Sequence, residues 1–133
     1  MNITGQTVQP KTGLGGKKQP ATKAERRHMN AVAQMRCIVT GRNGVVLHHC
    51  FCDRIEKFGG KKAPNFDVIP LWQGIHQGLL GHNEQTAIHR DKALWVELHG
   101  PDWEYIPAVY AEIYGNENIT HDEITEYWCG SNL

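Results

Sequence analysis

The chain has 133 residues, 40% of them hydrophobic and 21% charged, the length of one ordinary globular domain, which excludes a multidomain machine. Fourteen basic residues against fourteen acidic ones give a formal net charge of zero, a figure that taken whole argues against a nucleic-acid partner. The distribution reverses that inference. Met1 to Lys62 holds twelve basic residues against three acids, a net of +9, while the remaining 71 residues hold two against eleven, a net of −9. A chain split into opposed halves points to a nucleic-acid-facing segment.

From Met1 to about residue 22 the composition is Gly-, Pro- and Lys-rich, with Lys11, Lys17 and Lys18 and no acid or aromatic side chain. Such a segment cannot bury enough apolar surface to offset its ordering entropy, so residues 1–22 are expected to form a disordered basic arm and residues 23–133 one domain. Thr22-Lys-Ala-Glu25 has the form of a capping box and opens a helix over about Lys23–Gln34, with Met29, Val32 and Met35 at helical spacing. Cys37–Gly41 followed by Asn43-Gly44 reads as a short strand and a hairpin turn, with Val45–Cys52 as the returning strand.

Asp53–Pro64, holding Gly59-Gly60 and Lys61-Lys62, reads as a loop, and Asn65–Leu71 as a second extended piece. Helices are then expected over Trp72–Leu80, Gln85–His99 and Pro107–Tyr114, the last two closed by Gly100-Pro101 and Gly115. Thr120-His-Asp-Glu123 is a second capping box, opening a final helix that ends near Gly130. The four cysteines, at 37, 50, 52 and 129, have no framework-like spacing and follow no signal-peptide core. No apolar run approaches the ~18 residues of a membrane span, so the expectation is a soluble cytoplasmic protein with reduced thiols and no membrane partner.

The chemistry lies in the eight histidines. His48-His49 ends a strand, Asn65 and Asp67 follow in an extended segment, and His76 stands early in the next helix. Neighbouring strand residues face opposite sides, so at a strand end one histidine can meet a metal held against the helix carrying His76 while the other takes a proton from water nearby. Phosphodiester hydrolysis needs those parts: a cation on the phosphate oxygens, a base for the water, and a group that orients the base. His28, His99 and His121 are expected to be ordinary structural or solvated histidines, and Cys50 and Cys52 to be core thiols.

Cys37-Ile-Val-Thr-Gly41, Val46-Leu-His48-His49, Lys62–Leu71 and Gly74-Ile-His76 together resemble an HNH (ββα-metal, His-Me finger) endonuclease. More narrowly, with Ala87–Trp95, they are similar to the phage recombination-enhancement (Ref) nucleases, which act with RecA. The resemblance covers about Met35 to Gly100. It implies an α+β fold, a small ββα-metal core with extra flanking helices. It implies that His48 and His76 hold a divalent metal, Mg²⁺ or alternatively Mn²⁺ or Zn²⁺, and that His49 is the general base. The residue orienting the base falls on Asp67 by its distance to Trp72 or on Asn65 by chemistry, and the two stay open. His89 and His82 are additional ligand candidates.

The resemblance further implies DNA as substrate, a RecA-type recombinase filament as partner, and a bacterial host cell as the setting. The arm with Lys23, Arg26, Arg27, Lys61 and Lys62 is expected to neutralise phosphates without reading sequence. The chain departs from the family pattern at the structural zinc: Cys37 is present, but Thr40, Trp72 and Ile75 occupy the other ligand positions, so no zinc is expected there and Trp72 and Ile75 are expected to pack in its place. Two rivals are a non-catalytic DNA- or recombinase-binding module on a degenerate HNH fold and a zinc-storage or redox protein using Cys50, Cys52 and the histidines.

Overall fold

The computed structural model describes residues 19–79 and 86–130. Helix α1 (Lys23–Ala33) starts at the expected capping box, with the Thr22 side chain on the Glu25 N–H and the Glu25 side chain on the Thr22 N–H. Its core-facing side chains are Ala24, His28 and Val32, at i, i+4 and i+8, the spacing of a helix that buries one stripe.

The sheet is not the hairpin that Asn43-Gly44 suggested. Cys37–Gly41 forms a knuckle of turns, closed by the Cys37 N–H on the Arg42 carbonyl and the Gly41 N–H on the Cys37 carbonyl. Strand β1 (Val45–His49) instead pairs antiparallel with β2 (Val68–Trp72), Val45 opposite Trp72 and His49 opposite Val68. Pro70, in mid-strand, turns its carbonyl outward to accept the Ile38 N–H at 3.0 Å. It therefore sits where no ladder N–H is needed, and it ties the knuckle to the sheet.

The segment between the strands, read as a loop, contains a short helix α2 (Arg54–Phe58), capped by Gly59 at φ +62° with Gly60 next at φ +78°. Two successive left-handed residues are what this Gly-Gly pair supplies. After β2 comes α3 (Gln73–His76), shorter than the expected helix, and residues 80–85 lie outside the described set. The helix expected from Gln85 starts only at Lys92: residues 86–90 form turns, and α4 (Lys92–His99) begins where Asp91 caps the Leu94 N–H. A 3-10 turn (Asp102–Tyr105) leads into α5 (Ile106–Tyr114), and α6 (His121–Thr125) starts at the second capping box and runs into a wider turn over Glu126–Gly130.

The architecture is mixed helix and strand, compatible with α+β. α1 and α3 pack against the sheet. The main core joins Val32, Cys37, Cys50, Cys52, Ile69, Leu71, Ile75 and Trp95, and a second cluster joins Ala24, Phe66, Tyr110 and Ile124. No helix among the described residues is long and apolar enough to cross a membrane.

Candidate metal centre and its neighbouring base

β1 delivers its last two side chains to different partners, as strand alternation requires. His48, 2% exposed, turns toward the helical side and meets the rings of His76 and His89 at centroid distances of 5.1 and 5.4 Å. His76 comes from the end of α3 and His89 from the turn before α4, which two backbone bonds fasten to α3: Ile88 N–H to the Ile75 carbonyl and His89 N–H to the His76 carbonyl, at 2.9 and 3.0 Å. One ring nitrogen from each of His48, His76 and His89 lies within 4.8 Å of the others. The Nε2 atoms of His76 and His89 are 3.1 Å apart. Two ligand nitrogens on a tetrahedral ion at about 2.0–2.1 Å would stand about 3.3–3.4 Å apart, so this pair is already close to a ligand spacing.

The His76 and His89 rings are both shifted toward the neutral state that metal ligation would need. Burial, then the neighbouring His48 and His89, pull His76 down to about 4, and burial and His48 lower His89. Among the described residues the buried His76 Nδ1 has no hydrogen-bond partner. His48 is held by Asp102, whose carboxylate is 0% exposed and accepts from His48 Nε2 at 2.9 Å and from the Phe51 and Cys52 N–H groups at 2.8 and 3.1 Å. Burial pushes the Asp102 carboxyl up, but these donors outweigh it and hold it below the ordinary carboxylate value. Asp102 escaped sequence reasoning because its contact spans 54 positions and carries no local motif.

His49, on the other side of the strand end, lies with Nε2 at 2.9 Å from Asn65 Oδ1, an oxygen that can only accept. The Asn65 amide is oriented from behind: its Nδ2 donates to Glu25 Oε1 at 3.3 Å. A carboxylate only accepts, so Asn65 must present its oxygen to His49, the His49 proton is on Nε2, and Nδ1 carries the free lone pair. Glu25 Oε1 also accepts the Thr22 N–H, so one oxygen both caps α1 and steadies Asn65. Burial lowers His49, the Asn65 bond raises it, and Lys62 and His48 lower it further, for a net depression.

Of the two residues that the sequence left open beside the base, the geometry brings Asn65 to His49 and takes Asp67 elsewhere. Asp67 lies past a turn in which its N–H bonds the Pro64 carbonyl, and its carboxylate accepts from Tyr110 Oη at 2.8 Å and His121 Nε2 at 3.0 Å. That turn decides which of the two side chains reaches β1, which the distance to Trp72 does not register. His82 lies outside the described residues, as do Lys11, Lys17 and Lys18. Cys50 and Cys52 are buried core thiols, pushed up by burial, Cys52 to about 11.

The basic residues of α1 gather on one surface. Lys23, Arg26 and Arg27 line a groove of about 630 Å³ with Asn30 and Leu47, the latter two positions before His49 on the same face of β1. Arg26 and Arg27 each spend one guanidinium N–H on a backbone carbonyl, of Ala21 and Trp128 respectively, and each guanidinium carries five donors. Lys61 and Lys62 are exposed after α2, and Lys62 acts electrostatically on the His49 ring. No family model matches the chain, and no curated protein matches it at a level that would show a relative.

Proposed function

We propose that the chain is a metal-dependent endonuclease of HNH type that hydrolyses DNA phosphodiester bonds. The observation that carries this reading is the convergence of His48, His76 and His89 within 4.8 Å on one side of a strand end whose other side holds the His49–Asn65 pair. In this role His49 Nδ1 takes the proton of the attacking water, Asn65 keeps the ring aligned through Nε2, and His48, His76 and His89 hold the ion. A divalent ion bound there supplies charge to the phosphate oxygens and the leaving group.

The residues fit such an ion: three imidazoles, two of them at near-ligand spacing, and a buried carboxylate behind one. An all-nitrogen donor set suits Mn²⁺ or Zn²⁺ better than Mg²⁺, which prefers oxygen. The groove of Lys23, Arg26 and Arg27 and the pair Lys61 and Lys62 would hold the flanking backbone by charge, giving affinity without base readout. A RecA-type filament as the targeting partner, in the cytoplasm of a bacterial host, rests on the resemblance to the Ref nucleases alone.

The test is nicking of supercoiled plasmid and of a RecA-paired duplex with Mn²⁺, Zn²⁺ or Mg²⁺. Cleavage by the wild type that is lost in His49→Ala, with zinc and DNA binding kept, is the expected result. DNA binding without cleavage under every metal would overturn the enzyme and leave a binding module. Equal cleavage with and without RecA would remove the partner while keeping the nuclease.

A further inference from the structure

Asp102 opens the 3-10 turn that follows α4, and that turn grips the end of β1 twice. Asp102 takes the Phe51 and Cys52 N–H groups and His48 Nε2. The adjacent Trp103 donates Nε1 to Asp53 Oδ2 at 2.9 Å and lays its ring under Lys57 Nζ at 3.8 Å. Asp53 itself sits at φ +53°, a left-handed conformation uncommon outside glycine, and the Trp103 bond is one of the contacts that holds it.

Two backbone N–H groups would account for a buried acceptor at this corner. The third donor is what carries information. A carboxylate cannot donate, so the bond to His48 requires the proton on Nε2 and leaves Nδ1 as the ring's only lone pair. His76, by contrast, has its Nδ1 buried with no partner among the described residues, so its ring is not fixed in this way. We propose that Asp102 is a positioning residue of the metal centre, locking His48 in the tautomer that offers Nδ1 to the ion and placing a negative charge behind that ligand. This rests on the assignment of His48, His76 and His89 as the ligand set. Such outer carboxylates orient a ligating imidazole and raise its basicity, and their loss typically weakens metal binding about 10–100-fold.

Zinc titration of the full chain, followed by calorimetry alongside the unfolding midpoint of the metal-free protein, tests this with three variants. Asp102→Asn keeps the shape, with a single acceptor oxygen, and is expected to bind zinc about 10–100-fold more weakly. Val109→Ala, in the same core, is expected to lose stability with its zinc affinity unchanged, which separates positioning from general loosening. Wild-type zinc affinity in a folded Asp102→Asn, or an equal loss in Val109→Ala, overturns the role of Asp102 while leaving the metal centre standing. His48→Ala is the reference for the centre itself: a wild type that binds zinc no better than His48→Ala overturns the centre. Should Asp102→Asn not fold, the ring nitrogen spectrum of the wild type decides. A proton on His48 Nε2, with Nδ1 shifted by zinc, is expected, and a proton on Nδ1 refutes the proposal.

Discussion

The choice between Asn65 and Asp67 as the partner of the base can be turned into rates. Asn65→Ala removes the oxygen 2.9 Å from His49 Nε2 and the amide 3.3 Å from Glu25. The helix cap survives, since Thr22 still donates to Glu25 at 2.8 Å, so the loss of stability should be about 1–3 kcal/mol, the worth of two ordinary hydrogen bonds. The catalytic loss comes on top of that. General-base catalysis contributes about 10²–10⁴-fold, and a base free to rotate forfeits much of that, so a fall in kcat of about 100-fold, about 2.7 kcal/mol of barrier, is expected with little change in KM. Asp67→Ala should cost stability alone. It strands Tyr110 and His121, costs about 1–3 kcal/mol of stability, and leaves kcat largely intact. Single-turnover plasmid nicking at saturating Mn²⁺, with urea unfolding of each variant, reads both. A fully active Asn65→Ala beside an inactive, stable Asp67→Ala would refute the assignment.

Three further outcomes follow from the same geometry. His28 is fully buried and falls from 6.5 to about 4, through burial first, with the Phe66 carbonyl bond opposing it. A folded value below the unfolded one means stability complete above pH 6.5 and lost as pH drops to about 4, by about 3 kcal/mol. Urea unfolding across that range should show this loss in the wild type and a flatter profile in His28→Gln, whose difference isolates it from His121, which shifts the opposite way. Trp72→Ala removes the ring beneath the Arg42 guanidinium, at 4.1 Å, and beside Gly74. It should lower stability by about 2–3 kcal/mol in the presence or absence of chelator, and a chelator-dependent loss would contradict apolar packing as the source of cohesion there. Zinc at 100 times its Kd should stabilise the wild type by about 2.7 kcal/mol, read as a thermal shift that His89→Ala abolishes; an undiminished shift in that variant would take His89 out of the ligand set.

What could be read from the sequence was local. Both capping boxes, Thr22/Glu25 and Thr120/Glu123, appear as the spacing predicts, because a cap depends on four consecutive residues. The strand partner was not legible. Asn43-Gly44 has hairpin chemistry, yet β1 pairs with a strand 23 positions later in register, since the apolar run Val68–Trp72 buries more than Cys37–Gly41 could. The α4 start was overrun for a similar reason: Asp91 caps Leu94 and so halts the helix short of the residues that bond back to α3. His48, His49 and His76 were singled out by their order along the chain and His89 only by the resemblance to the HNH nucleases, and the fold brings His48, His76 and His89 together. Glu25 and Asp102, which steady Asn65 and His48, were invisible as such, because their partners lie 40 and 54 positions away.

The pairing of His48 with Ile69 and His49 with Val68 has a consequence for how such a domain can vary. On the proposed reading the two histidines differ in task only by strand parity. Deleting one residue from β1 ahead of them would swing His49 into the slot facing Asp102 and hand the Asn65 side to Cys50, spoiling both. The stretch between the strands, already carrying a helix and a Gly-Gly turn, can lengthen or shorten at small entropic cost. Change in length is therefore expected to cost little at the Gly59-Gly60 turn and much over the five residues of β1, which makes that short strand, rather than any single side chain, the part of the site least open to change.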